Sequence, residues 1–95
     1  MKTLKRCPDV ELVEICGEYL LIATREARDV CPYVSQINES AAIFWKLLDK
    51  PRTVNELIEC AVTLSGKEKK QLFFPVLAFV DKFCKSGHLI EEDKE

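Results

Sequence analysis

Residues 37–48 read INESAAIFWKLL, and the other predicted elements of the chain are arranged around this stretch. An alternating segment, Tyr33–Ile37, runs directly into it, which predicts a strand that passes into a helix. Asn38 is the predicted N-cap because its side chain can accept a hydrogen bond from a free N–H group of the first turn. At about 100° per residue the apolar positions cover more than half of the helix circumference, which is more than one core requires. We therefore expect this helix to be covered from two sides.

Upstream of this helix the chain has the pattern of two further strands. Val10–Cys16 and Tyr19–Thr24 are rich in strand-forming residues, and Gly17-Glu18 predicts a two-residue hairpin turn with glycine first. The charged segment Arg25–Pro32 predicts a loop that leads to the third strand. Residues 1–9 are polar and are expected to form a flexible N-terminal segment.

Two more helices are predicted downstream. Thr53 and Glu56 have the spacing of a capping box, which opens the second helix. The third helix, Leu72–Lys85, contains Pro75 within its apolar pattern. This proline either kinks the helix or marks its first turn, in which case Lys67–Phe74 is a separate short turn.

The order of these elements predicts an α+β fold, in which a three-stranded antiparallel sheet is followed by three helices. The tight turn between the first two helices suggests a winged helix-turn-helix-like arrangement. Ninety-five residues are enough for one domain. We place this domain at residues 10–90, and residues 91–95 form an acidic tail.

Charge and hydropathy exclude several classes of protein. The net charge of −2 argues against nucleic acid as the main partner, because nucleic-acid-binding proteins usually carry a basic surface. No apolar run approaches the roughly 18 residues that would span a membrane, so no membrane partner is expected and a cytoplasmic location follows. A winged-helix DNA-binding regulator remains the alternative function, with Lys67, Lys69 and Lys70 preceding the third helix.

The residues with reactive side chains do not form an enzyme motif, so we expect no catalytic residue, no metal site and no cofactor. His88 follows a helix-ending glycine and is expected to cap the helix or lie at the surface. Cys60 and Cys84 have apolar neighbours and are expected to pack. Cys7 and Cys31 lie in segments expected to be exposed, which makes them candidates for oxidation.

A third class of function is a peptide-binding module. Tyr33–Ile37 forms an open edge if the first two strands pair as a hairpin and the third joins on one side. A partner strand can then pair with this edge while its side chains enter a groove. The surplus apolar surface is equally compatible with plain core packing or a homodimer contact.

Two stretches resemble the PqqD family. The first is Ile37–Trp45, INESAAIFW, followed by Leu48-Asp49 and the helix opening Arg52–Leu57, RTVNEL. The second is Val76–Val80, VLAFV, followed by Gly87–Ile90, GHLI. The resemblance extends over residues 10–90. It implies a peptide-recognition domain that binds the leader of a ribosomally made precursor peptide and presents it to a modifying enzyme, often a radical S-adenosylmethionine (SAM) protein of the SPASM type, as in the synthesis of the quinone cofactor PQQ.

The resemblance also implies roles for individual residues. The leader would add as a strand beside the third strand and pack against the third helix. The implied backbone and pocket contacts are Val34, Ser35, Gln36 and Ile37, and the candidate groove residues are Phe73 and Leu77. Asn38 and Trp45 match the family pattern but are interpreted as structural, as an N-cap and a core anchor.

Overall fold

A computed structural model describes residues 2–93 and confirms the α+β fold. The elements are β1 Lys2–Arg6, β2 Val10–Ile15, β3 Glu18–Ala23, a 3-10 helix Arg25–Asp29, β4 Val34–Ile37, α1 Glu39–Leu47, α2 Val54–Ser65, α3 Lys69–Ser86 and β5 Leu89–Asp93. The predicted three-stranded antiparallel sheet has the order β2-β3-β4 and precedes the three helices. A second sheet, which was not predicted, pairs β1 with β5.

The hairpin between β2 and β3 turns one residue earlier than predicted. Ile15 pairs with Glu18, so the two turn residues are Cys16 and Gly17. Their φ angles are +52° and +80°. Two successive residues with positive φ match the right-handed twist of the strands, and glycine adopts this conformation more readily than Cys16 does.

Helix α1 begins as predicted and is packed on more than one side. The Asn38 side chain accepts a hydrogen bond from the Ala41 N–H at 2.8 Å. The helix contacts β3, α2 and α3. Trp45, the predicted core anchor, is 1% exposed and lies in the main core. The broad apolar surface is therefore used to join the sheet to the other two helices.

Helices α2 and α3 supply the rest of the main core. Thr53 and Glu56 form the predicted capping box, and its hydrogen bonds hold the pKa of the Glu56 carboxyl below its usual range. Helix α3 is one helix that contains Pro75, so a separate turn at Lys67–Phe74 is wrong. Its predicted face is buried, namely Leu72, Val76, Phe79, Val80 and Phe83. Within residues 2–93 no helix is both long and apolar enough to cross a membrane.

The N-terminal segment differs from the expectation that residues 1–9 are flexible. Strand β1 pairs antiparallel with β5, and Leu4 is 1% exposed in the main core. On its other side, Leu4 N–H donates to Arg52 O at 2.6 Å and Arg52 N–H donates to Leu4 O at 3.0 Å. The first three residues of the predicted acidic tail belong to β5, while Lys94 and Glu95 lie outside the described residues.

Three expectations about cysteine and histidine need correction or confirmation. Cys7 and Cys31 are each 7% exposed, so their predicted exposure is wrong. The cause is a second apolar cluster, in which the end of β1 meets the segment after the 3-10 helix. Cys84 packs against the main core as predicted. His88 is 1% exposed because β5 returns to pair with β1, so it is not a surface residue.

Candidate peptide-binding edge and groove

Strand β4 is an edge strand of the three-stranded sheet. It pairs with β3 through four residue pairs, from Tyr19 with Ile37 to Ile22 with Val34. Within residues 2–93 no strand pairs with its other side. The open margin predicted from the sequence is therefore present, and it carries backbone N–H and C=O groups without ladder partners.

The hydrogen bonds to β3 show which backbone groups of β4 face outward. Ala23 N–H donates to Tyr33 O at 2.8 Å, and the register places Ser35 and Ile37 in the same phase as Tyr33. In an antiparallel ladder successive residues alternate between bonding to the partner strand and pointing away from it. The N–H and C=O groups of Val34 and Gln36 therefore point to the open side, whereas those of Ser35 point to β3.

Side-chain burial along β4 alternates with the same period. Ile37 is 7% exposed and Ser35 is half-buried, and both side chains face the helices. Val34 is 52% exposed, and Gln36 is also exposed. Of the four residues predicted as peptide contacts, two thus present backbone groups to the open side and two present side chains to the inner face of the sheet.

A groove runs between the β4–α1 junction and α3. Its volume is about 330 Å³, which is at the small end of the range for ligand pockets. Its lining is mainly apolar, with Ile37, Ala41, Phe44, Ala78, Phe79 and Phe83. The Phe44 and Phe79 rings meet edge to face, with their centroids 5.4 Å apart. The apolar groove lies directly beside the open edge of β4, because Gln36 and Ile37 belong to both.

Polar residues also line this groove. Gln36 and Asn38 lie on the strand side, and Ser40 lies in the first turn of α1. Lys82 lies on the α3 side, and its ammonium is 5.5 Å from the centre of the Phe83 ring. The groove therefore offers one positive charge beside apolar surface.

Phe73 and Leu77, the two predicted groove residues on α3, do not line this groove. They are 41% and 36% exposed. The groove is lined by Pro75, Ala78 and Lys82 of the same helix. At about 100° per residue, these two sets lie on opposite flanks of the buried face of α3. Both flanks carry apolar side chains, so the apolar pattern alone did not distinguish them.

The groove residues that sequence reasoning missed share one signal. Pro75, Ala78 and Lys82 recur at intervals of three and four residues, and Phe79 and Phe83 extend the same spacing. That spacing places them on one side of a helix. This spacing does not indicate which side of α3 faces β4, because that depends on how α3 packs in the folded chain. Within residues 2–93 no group of three His, Cys, Asp or Glu residues could hold a metal ion.

Comparison with known proteins supplies one match. A family model described as coenzyme PQQ synthesis protein D (PqqD) matches residues 32–89. The match covers more than half of the chain and includes β4, the three α-helices and every residue of the groove. Strands β1 to β3 lie outside it. No curated protein and no solved structure matched the chain.

Proposed function

The chain belongs to the PqqD family, and from this membership we propose that it is a peptide chaperone for the leader segment of a ribosomally made precursor peptide. Membership supports a non-catalytic partner role and implies a precursor peptide and a modifying enzyme as partners. In the proposal, the leader adds to β4 as a further strand. The chain then presents the leader to the modifying enzyme, a radical SAM protein of the SPASM type.

The observation that carries this proposal is the open edge of β4 beside an apolar groove. Val34 and Gln36 each direct an N–H donor and a C=O acceptor outward. Strand addition uses such groups for affinity, and it uses pockets for alternate side chains for specificity. An added strand lies about 4.8 Å from β4, and the groove occupies this side of the strand.

The groove chemistry favours a particular kind of leader. Alternate side chains of an added strand point to the same face, so apolar residues two positions apart can contact Phe44 and Phe79. The Lys82 ammonium is placed to pair with an acidic side chain of the leader. We therefore propose an extended leader segment that combines alternating apolar residues with at least one carboxylate.

A proline substitution on the open side of β4 tests strand addition. Gln36→Pro removes an outward N–H that the ladder to β3 does not use, a position where an edge strand tolerates proline. Titration calorimetry with a synthetic peptide that alternates apolar residues and carries one carboxylate should show affinity reduced at least about tenfold, or about 1.4 kcal/mol. Gln36→Ala keeps the N–H and is the matched control, with affinity within about threefold.

Amide exchange gives a second measure of the same contact. In the free protein the Ser35 amide should already be protected by β3, whereas the Val34 and Gln36 amides should exchange quickly. Leader binding should slow exchange at Val34 and Gln36. Equal affinity of the folded proline and alanine variants, with no new protection at these two amides, would contradict strand addition.

A further inference from the structure

A second apolar cluster brings together two cysteines that are far apart in the sequence. Cys7 and Cys31 pack with Ala23 and Ala27, and neither cysteine is in a disulfide. Both thiols lie in this cluster, where the Cys31 thiol donates to Ala27 O at 3.1 Å and the Cys7 thiol donates to Pro8 O at 3.5 Å. The cluster joins the end of β1 to the segment that precedes β4.

The backbone at both cysteines is held by hydrogen bonds. Cys7 N–H donates to His88 O at 2.8 Å, and Cys31 N–H donates to Ala27 O at 3.0 Å. Around Cys31 the packing is close, because a Cβ added at Gly87 would lie 2.5 Å from Val30 O and 3.6 Å from Cys31 Cβ. The main chain at each cysteine is thus held in place on its own side of the cluster.

The two cysteines are equally buried, but different surroundings lie beside them. Cys7 lines an open cleft of about 610 Å³ between the β1–β2 connection and α1, together with Arg6, Asp9 and Trp45. Cys31 does not line this cleft. The cleft therefore gives a small-molecule reagent a route to Cys7.

We propose that Cys7 and Cys31 are a reversible disulfide site, oxidised by exchange with a small-molecule disulfide such as glutathione disulfide. The Cys7 thiolate attacks one sulfur of the reagent, a mixed disulfide forms, and one glutathione thiolate leaves. The Cys31 thiolate then attacks the Cys7 sulfur, the protein disulfide forms, and the second glutathione leaves. The two protons of the protein thiols end on the two glutathione thiols, so glutathione disulfide is the species reduced.

The bond would tie β1 to the segment that leads into β4. The loop that it closes contains the whole β2–β3 hairpin, and Cys31 lies three residues before Val34. A cross-link of this kind restricts the unfolded chain and so raises thermal stability. This consequence does not depend on the proposed peptide function, because it concerns only the chain itself.

A variant that retains only this pair tests the proposal. Cys16→Ser, Cys60→Ser and Cys84→Ser change the three cysteines that lie outside the cluster. Folded protein is equilibrated in mixtures of glutathione and glutathione disulfide, and its free thiols are then alkylated. Mass spectrometry measures the mass of the product. We expect that neither thiol is alkylated and that no glutathione adduct is present. Dithiothreitol should restore alkylation of both thiols. The melting temperature of the oxidised form should be higher by about 10 °C.

A control variant separates the two steps. Adding Cys31→Ala to the same background removes the resolving thiol, so glutathione should remain attached to Cys7. As a check that needs no substitution, cleavage of the oxidised natural chain after glutamate separates Cys7 from Cys16, since Glu11 and Glu14 lie between them. Full alkylation of both thiols, or a stable glutathione adduct in the two-cysteine protein, would overturn the proposal.

Discussion

The His88 side chain is buried, and one of its ring nitrogens has no hydrogen-bond partner within residues 2–93. The other, Nδ1, lies against Ser86 Oγ, whose hydroxyl is also within hydrogen-bond distance of Phe83 O. If the Ser86 hydroxyl donates to Phe83 O, then Nδ1 carries the proton and Nε2 is a bare acceptor. Protonation of Nε2 would place a charge in apolar surroundings, and burial accordingly lowers the pKa of His88.

The lowered pKa of His88 predicts a loss of stability in mild acid. Above about pH 6.5, the ordinary histidine value, both folded and unfolded chains hold neutral imidazole. As the pH falls below that value the unfolded chain binds a proton and the folded chain does not, so the free energy of unfolding decreases until the folded pKa is reached. Urea unfolding between about pH 5 and 7.5 measures this decrease.

The matched control for this measurement is His88→Asn. The chain contains one histidine, so the variant has no imidazole to titrate. Asn places an amide near the Nδ1 position and keeps a partner for Ser86. The variant should be less stable overall but should show a smaller decrease between about pH 6.5 and 5. An identical decrease in both proteins would mean that His88 is not the group responsible.

At the scale of elements, α3 has two apolar flanks with different surroundings. One flank lines the groove beside β4 through Pro75, Ala78 and Lys82. The other carries Phe73 and Leu77, which lie outside the groove. Pro75 has no N–H, so α3 lacks one main-chain hydrogen bond at a position that borders the groove.

Glutamate substitutions at adjacent positions distinguish the two flanks of α3. Ala78→Glu places a carboxylate in the groove, whereas Leu77→Glu places the same charge on the opposite flank. Both positions are solvent-accessible, and glutamate is a good helix former, so neither change should unfold the helix. We expect Ala78→Glu to weaken leader binding at least about tenfold in titration calorimetry and Leu77→Glu to change it less than about threefold.

The reverse order of effects would place the leader on the Phe73 flank. In that case the earlier sequence-based choice of Phe73 and Leu77 would be correct, and the groove beside β4 would not be the binding site. Circular dichroism of both variants shows whether α3 remains folded. The comparison is informative because the two substitutions change net charge equally.

At the scale of the whole molecule, the two ends of the described chain are held together. Strands β1 and β5 pair along five residues, and exposed ion pairs join Lys2 to Glu91 and Lys5 to Glu92. Such exposed pairs contribute little to stability. The larger contribution is apolar, because Leu4 on β1 and Leu89 on β5 are both buried in the main core.

Truncation of Leu4 tests whether β1 is part of the folded domain. Leu4→Ala removes a fully buried side chain and should lower the free energy of unfolding by about 2–5 kcal/mol. Lys2→Ala, at an exposed position on the same strand, should change it by about 0.5 kcal/mol or less. Urea unfolding of both variants provides the comparison. A Leu4→Ala effect as small as that of Lys2→Ala would mean that residues 2–6 contribute little to the fold.

Features that depend on near neighbours in the chain could be predicted from the amino-acid pattern alone. The Asn38 cap, the Thr53–Glu56 capping box and the buried face of α3 each follow from residues within a few positions of one another. The three strands of the first sheet and the edge position of β4 were also predicted, because short connections favour pairing of consecutive strands. Ser35 was predicted as a contact at this edge. The alternation of hydrogen bonds along β4, however, points its N–H toward β3.

Features that join distant parts of the chain became evident only from the packing of the folded molecule. The pairing of β1 with β5, the cluster that contains Cys7 and Cys31, and the choice of α3 flank that faces β4 bring together residues far apart in sequence. The pattern of a strand or helix shows which residues are apolar, but it does not identify the element of the chain that covers them. Several partners can bury the same apolar surface, and the choice among them belongs to the packing of the whole chain.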